Sequence, residues 1–245
     1  MQKKGTVIGL MVLVVVLAGA LVFTNLNFGA AEVEVKDTAQ MTEDEIKLNS
    51  YVQTGHLITA KTAANLIESR EDVLILDVRK AVDYATGHVP GAFNVFRGDY
   101  SAGEGAYPFG GMRADKAKME AFMSSLGVTE DTLIVAYDAK GNYDAARLWW
   151  QMNMYGHDYY KIIDGGIQGW EAAGFELTMT TPEPRTPTQY EFINEPDYSR
   201  LASLEDVIAA QTDPNVVLLD TRSIEEFTGE QLKKGAFREG RIPGS

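Results

Sequence analysis

The chain of 245 residues contains no cysteine. That absence excludes disulfides, cysteine-ligated zinc, iron–sulfur clusters and any nucleophilic thiol within these residues. Histidine is nearly absent too. The three present, His56, His88 and His157, are too dispersed to suggest a multi-histidine metal site. Basic residues are few, with 22 Lys+Arg against 35 Asp+Glu and a formal net charge of -13. Such a chain repels a phosphate backbone, so no nucleic-acid partner is expected. Proline is sparse at 8, yet Pro182, Pro184, Pro187 and Pro196 crowd into one stretch. Apolar side chains are plentiful, at 45% of residues against 23% charged. This is the composition of a chain that folds around a core.

Lys3 and Lys4 precede an uncharged run from Val7 to Phe23, and Glu32, Glu34 and Asp37 follow it. The run is expected to form a membrane-spanning or signal helix within residues 1–29. The positive-inside rule then puts the N-terminus in the cytoplasm and everything after Asn25 outside. Two readings stay open: a single-pass anchor in the cell membrane through residues 7–23, or a secreted or periplasmic protein cleaved near Ala31. Residues 30–55 are polar and acidic and read as a tether, with a helical turn near Thr42–Leu48.

The proline cluster marks 181–197 as a linker. It separates a first block, 56–180, from a tail, 198–245. In the first block Val73–Val78, Thr132–Tyr137 and Tyr160–Ile163 are short apolar runs suited to buried parallel strands. Phe93–Phe96 and His56–Ile58 are weaker strand candidates. Helices are expected after Thr59, over Asp115–Leu126, over Asn142–Met154 and over Gly166–Ala173. The alternation predicts an α/β fold in three layers, with about five parallel strands. The tail opens with an expected strand at Val216–Leu219. Glu225 and Glu226 read as a solvated helix face, and His157 as a surface cation near a helix end. Trp149, Trp150 and Trp170 read as core.

The chain also repeats itself. Leu76-Asp77-Val78-Arg79 is matched by Leu219-Asp220-Thr221-Arg222, and Asp83-Tyr84 by Glu226-Phe227. Gly87-His88-Val89-Pro90-Gly91-Ala92 is matched by Gly240-Arg241-Ile242-Pro243-Gly244-Ser245 after an insertion. A strand ending in D-x-R, an acidic-aromatic pair and then G-H-x-P-G-A resembles the rhodanese family. Ile163-Asp-Gly-Gly-Ile-Gln-Gly-Trp170 adds to it. The tandem arrangement resembles the two-domain thiosulfate and 3-mercaptopyruvate sulfurtransferases. On this resemblance residues 56–180 are a first rhodanese-like domain and 198–245 the start of a second.

The D-x-R and glycine-turn residues are read as structural: Asp77, Arg79, Gly87, His88, Pro90 and Gly91 in one copy, Asp220, Arg222, Gly240, Pro243 and Gly244 in the other. The chemistry belongs in the loop joining strand 132–137 to helix 142–154: Asp138, Ala139, Lys140, Gly141, Asn142 and Tyr143. At the carboxyl end of a parallel strand, backbone N–H groups converge before a helix N-terminus and form an anion cradle. The resemblance implies a cysteine at the loop's first position. It would attack the outer sulfur of a donor, become a persulfide and pass the sulfur to a thiophilic acceptor. Here Asp138 stands there, and a carboxylate forms no persulfide. This copy is therefore expected to be inert, with the family's cysteine loop expected beyond residue 245. The sulfur would be carried on the protein, so no cofactor is implied. Asp138, Asn142 and Asp144 superficially resemble a calcium loop, but Lys140 sits in a ligand slot and no distal Glu follows, so no metal is expected.

Three functions are consistent with these residues. One is an exported or anchored sulfurtransferase acting on a small sulfur-containing anion and a thiol acceptor. Another is a non-catalytic rhodanese-like binding or scaffold module outside the membrane. The weakest is an anion-handling relative of phosphatases that also need a loop cysteine.

Overall fold

The computed structural model describes residues 14–17, 20–23, 41–70, 72–108 and 110–245. Within the apolar run Val7–Phe23, where a helix was expected, the described residues form two strands. β1 (Val14–Leu17) pairs antiparallel with β2 (Ala20–Phe23), Val14 opposite Phe23 and Leu17 opposite Ala20. Valine's branched Cβ favours the pleated conformation, and this run is rich in it. No helix among the described residues is long and apolar enough to cross a membrane. The cleavage point near Ala31 lies outside the described residues.

Thr42 caps α1 (Glu43–Asn49) in a reciprocal capping box with Glu45. Lys47 Nζ reaches Asp164 at 2.8 Å, so the end of the expected tether rests on the domain. Thr59 caps α2 (Ala60–Ser69) by accepting the Thr62 N–H.

A parallel sheet of five strands follows, in the order β3-β7-β6-β4-β5. The strands are β3 (Leu57–Ile58), β4 (Val73–Asp77), β5 (Ala92–Asn94), β6 (Leu133–Tyr137) and β7 (Tyr160–Ile163). The register places Asp77 beside Tyr137 on one side and Asn94 on the other. Period-two alternation divides the strands between two cores. Leu74, Leu76, Ile134 and Ala136 face α4 (Lys116–Ser125) and α5 (Tyr143–Met154), meeting Met119, Met123, Leu148 and Met152. Ile75, Val135 and Tyr137 face α2 and α6 (Gly166–Ala172), meeting Ala63, Ile167 and Trp170. The short α3 (Ala81–Ala85) connects β4 to the glycine turn before β5.

Four expectations need correction. The proline-rich stretch 181–197 is a strap packed on the first domain. Arg185 pairs with Asp72, Thr188 N–H donates to Ser124 O at 3.0 Å, and Tyr190 and Phe192 are buried. Its prolines suit an extended path, and its aromatics, two residues apart, point to one side. His157 is 3% exposed, not a surface cation, because Tyr190 of the strap covers it and hydrogen-bonds its Nδ1 at 2.9 Å. The tail forms α7 (Leu204–Ala210) and α8 (Ile224–Thr228), but Val216–Leu219 is not a strand. Leu219 is 81% exposed there, and no neighbouring strand supplies hydrogen bonds. Finally, Glu226 is buried rather than solvated, held by Lys233 Nζ at 3.0 Å.

Candidate functional site

β4 and β6 end side by side, and their ends carry the site. Asp77 is fully buried. Its Oδ1 accepts the Arg79 N–H at 2.9 Å, and its carboxylate pairs with the Arg79 guanidinium at 2.6 Å. Arg79 Nη2 also donates to Gly87 O at 2.6 Å. Tyr137 OH donates to Asp77 Oδ2 at 2.8 Å and accepts the Val89 N–H at 3.0 Å. One buried network thus joins the end of β4, the end of β6 and the glycine turn. Burial alone would lower the Arg79 pKa, but the Asp77 hydrogen bond and charge outweigh it and raise it. Burial, then the Asp77 charge, raises the Tyr137 phenol well above its ordinary range, so it stays a donor.

His88 belongs to the same brace. Its ring stacks on Tyr84 at 3.7 Å, and its nitrogens hydrogen-bond Tyr84 O and Thr180 O. Pro90 and Gly91 then turn the chain into β5. The brace recurs in the tail. Arg222 pairs with Asp220 at 2.6 Å and donates to Gly240 O at 2.9 Å. Asp220, Gly240 and Pro243 line a separate cleft of about 960 Å³.

The loop after β6 wraps around Asp138, which is 2% exposed. Asp138 Oδ1 accepts the N–H of Lys140 at 2.8 Å and of Asn142 at 2.9 Å. Oδ2 accepts the N–H of Asp144 at 2.9 Å and of Ala145 at 3.4 Å. The N–H cradle exists, and Asp138's own carboxylate fills it. These donors include the first turn of α5, so the negative charge also meets the positive end of the helix dipole. Gly141 and Asn142 take left-handed conformations to close the loop, with φ of 69° and 64°. Asn142 Nδ2 donates to Ile163 O at 2.9 Å, fastening the loop to β7.

The Asp164-Gly165-Gly166 turn closes on the same loop. Ile167 N–H donates to Asp138 O at 2.9 Å. A Cβ on Gly166 would lie 2.2 Å from that carbonyl oxygen, at a φ of +58°. Glycine is required there by both close approach and handedness.

A cleft of about 260 Å³ opens over the cradle, lined by Arg79, Arg97, Asp138, Lys140, Tyr143 and Asp144 among others. Arg97 hydrogen-bonds Asp144 and lies 5.5 Å from the Tyr143 ring. Arg97 was not legible as a site residue, because no local motif marks it, and Asp144 stood out only in a calcium-loop-like spacing that was set aside. Tyr143, half exposed, and Ala139 both line the cleft. The cleft has cations, but its backbone donors are taken by Asp138, and none of its lining groups can carry sulfur.

The rhodanese-like domain family matches residues 59–173. A putative thiosulfate sulfurtransferase of Saccharopolyspora erythraea is 32% identical over 66% of this chain and 57% of its own length. A probable 3-mercaptopyruvate sulfurtransferase of Pseudomonas aeruginosa is 31% identical over 79% of this chain and 70% of its own length. The crystal structure of SseA from Escherichia coli, described as a 3-mercaptopyruvate sulfotransferase of rhodanese fold, superposes with a TM-score of 0.63 at 25% identity. That superposition covers 77% of this chain and 68% of SseA. This chain spans a little over half the length of the first relative. By its sheet, its glycine turns and these likenesses, the chain belongs to the rhodanese-like sulfurtransferase family.

Proposed function

We propose that this protein serves sulfane-sulfur transfer and that its first domain is the non-nucleophilic partner in it. The observation that carries the reading is Asp138, whose carboxylate occupies the four N–H groups that would otherwise receive an anionic donor. In the transfer a thiolate attacks the outer sulfur of thiosulfate. The S–S bond breaks, and sulfite leaves with the electron pair. The persulfide then gives its terminal sulfur to a thiophilic acceptor, and the thiolate returns. With 3-mercaptopyruvate the thiolate would attack the donor's sulfur, the C–S bond would break, and the enolate of pyruvate would leave with the electron pair and take up a proton.

The thiol comes from outside these 245 residues, which hold none. We place it in a second copy of the fold, opened by Asp220 and Arg222. Support comes from the brace these residues share with Asp77 and Arg79, down to the glycine carbonyl that takes the second guanidinium bond. We also place the protein outside the cytoplasm, anchored or released. Lys3 and Lys4 before the uncharged run and the acidic residues after it support this. Protease added to intact spheroplasts should then degrade the folded domain; protection until lysis would refute export.

A non-catalytic binding or scaffold module is the second reading, favoured by the same filled cradle. Reading the frame past codon 245 and assaying its product separates the two. The enzyme reading expects a cysteine loop and thiocyanate formation from thiosulfate and cyanide, abolished by iodoacetamide. A stop codon there, or a cysteine-free product without activity, selects the module.

A further inference from the structure

Asp144 marks a face of α5 that continues through Arg147 and Gln151, at helical spacings of three and four. Beyond the cleft this face borders a second cavity of about 520 Å³, which Met112, Arg113, Trp150 and Leu201 also line. The volume is that of a small-molecule site. Its walls are mostly apolar, and the charged side chains on it are both cations.

Arg113 lies 5.2 Å from the Tyr198 ring, and Asp144 acts on Arg147 from a distance. Neither cation has a carboxylate within ion-pair reach among the described residues. Arg147 Nε is buried without a hydrogen-bond partner. Burial, then the nearby Arg97 charge, pulls the Arg147 pKa down. Gln151 is 1% exposed, and its Oε1 accepts the Ala114 N–H at 2.9 Å. That bond fixes the amide orientation and leaves Nε2 buried and unpaired. Buried donors and half-buried cations without partners are costly, and native folds keep few of them. In a chain of net charge -13, two cations without an ion-pair partner beside an orphaned amide are a local reversal of sign.

An acceptor-only group can meet the orphaned Arg147 Nε and Gln151 Nε2 donors and draw on the Arg113 charge as well. A planar carboxylate matches the guanidinium fork and can take the amide donor as well. Trp150 and Met112 offer the flat, polarisable wall that suits an apolar body. We propose that this cavity binds a small organic anion, a carboxylate on an apolar or aromatic body, at a site separate from the Asp138 cleft.

Calorimetric titration of the 245-residue chain with 3-phenylpropionate and with the neutral 3-phenylpropan-1-ol tests this. The acid is expected to bind saturably at one site, about tenfold or more tighter than the alcohol. Arg113→Gln and Gln151→Leu, each checked for folding by circular dichroism, should weaken the acid by about tenfold. Equal affinity for acid and alcohol overturns the proposal, as does no saturation by about 10 mM acid. Tight acid binding unchanged in both folded variants places it elsewhere and also overturns it. The acid–alcohol comparison decides even where a variant fails to fold.

Discussion

The Asn142 N–H donates to Asp138 Oδ1 at 2.9 Å, across a turn in which Asn142 itself is left-handed. This bond and its three companions make Asp138 the cap of the α5 N-terminus, a task Asn142 does not perform with its own side chain. Asp138→Ala should therefore destabilise the domain by about 1–3 kcal/mol, the cost of leaving buried donors unmet. Asp138→Asn, which keeps one acceptor oxygen, should fall between. Urea unfolding with unchanged m-value checks both. An Ala variant as stable as the parent would mean the loop relaxes to meet its donors otherwise.

Asp138→Cys replaces the cap with a thiol at the focus of the same donors. The parent chain should form no thiocyanate from thiosulfate and cyanide, since no thiol exists to hold the sulfur. In the variant, the cradle and the α5 dipole should draw the thiol pKa below the free value of about 8.5. Lys140 in the same loop adds to that pull. Iodoacetamide should then alkylate it faster than free cysteine near neutral pH. A thiol of ordinary reactivity would show that the donors do not stay aimed once the carboxylate is gone.

The strap over 181–197 carries a stability prediction that a free linker would not. Phe192 is 5% exposed, stacked on Tyr155 at 5.0 Å, and its N–H donates to Glu120 Oε1 at 3.0 Å. Phe192→Ala should cost about 3 kcal/mol through the cavity it leaves. A chain ending at Thr180 should likewise melt below one ending at Ala202. Equal melting temperatures would return 181–197 to the status of linker.

The sheet was legible because its strands are buried on both faces and so read as continuous apolar runs. Val73–Val78 and Thr132–Tyr137 shrink by a single residue each in the structure. Helix starts were legible where a side chain caps them, as Thr59 and Asp115 do. The strap was not, because prolines signal extended chain equally for a tether and for a packed strand. Asp138 could be placed in the cradle from the strand–loop–helix order. That it occupies the cradle could not, since that depends on where four amides point. Arg113, Arg147 and Gln151 come together only in three dimensions, from a loop and one helix face.

His157 supplies a pH dependence whose sign follows from its burial. Burial, only partly opposed by the Tyr159 backbone, lowers its pKa below the ordinary value of 6.5. In the native state the ring is therefore neutral in a range where the unfolded chain binds a proton. Where the unfolded state holds more protons, stability rises with pH. The His157 contribution is complete above about 6.5 and erodes as pH falls below it. The ring cannot easily accept the charge, because Tyr190 covers Nδ1 and Nε2 is buried without a partner. The Tyr190 phenol, pushed up to about 12 by burial and by Glu130 and Glu120, does not titrate in this window. The Asp72–Arg185 pair of the same strap loses its stabilisation only in stronger acid, since Asp72 sits below its ordinary value of 3.8. Melting temperature should thus decline between pH 7 and 5 in the parent chain. His157→Gln should be less stable at pH 7 yet flatter across that interval. A parallel decline in both proteins would assign the acid sensitivity to another group.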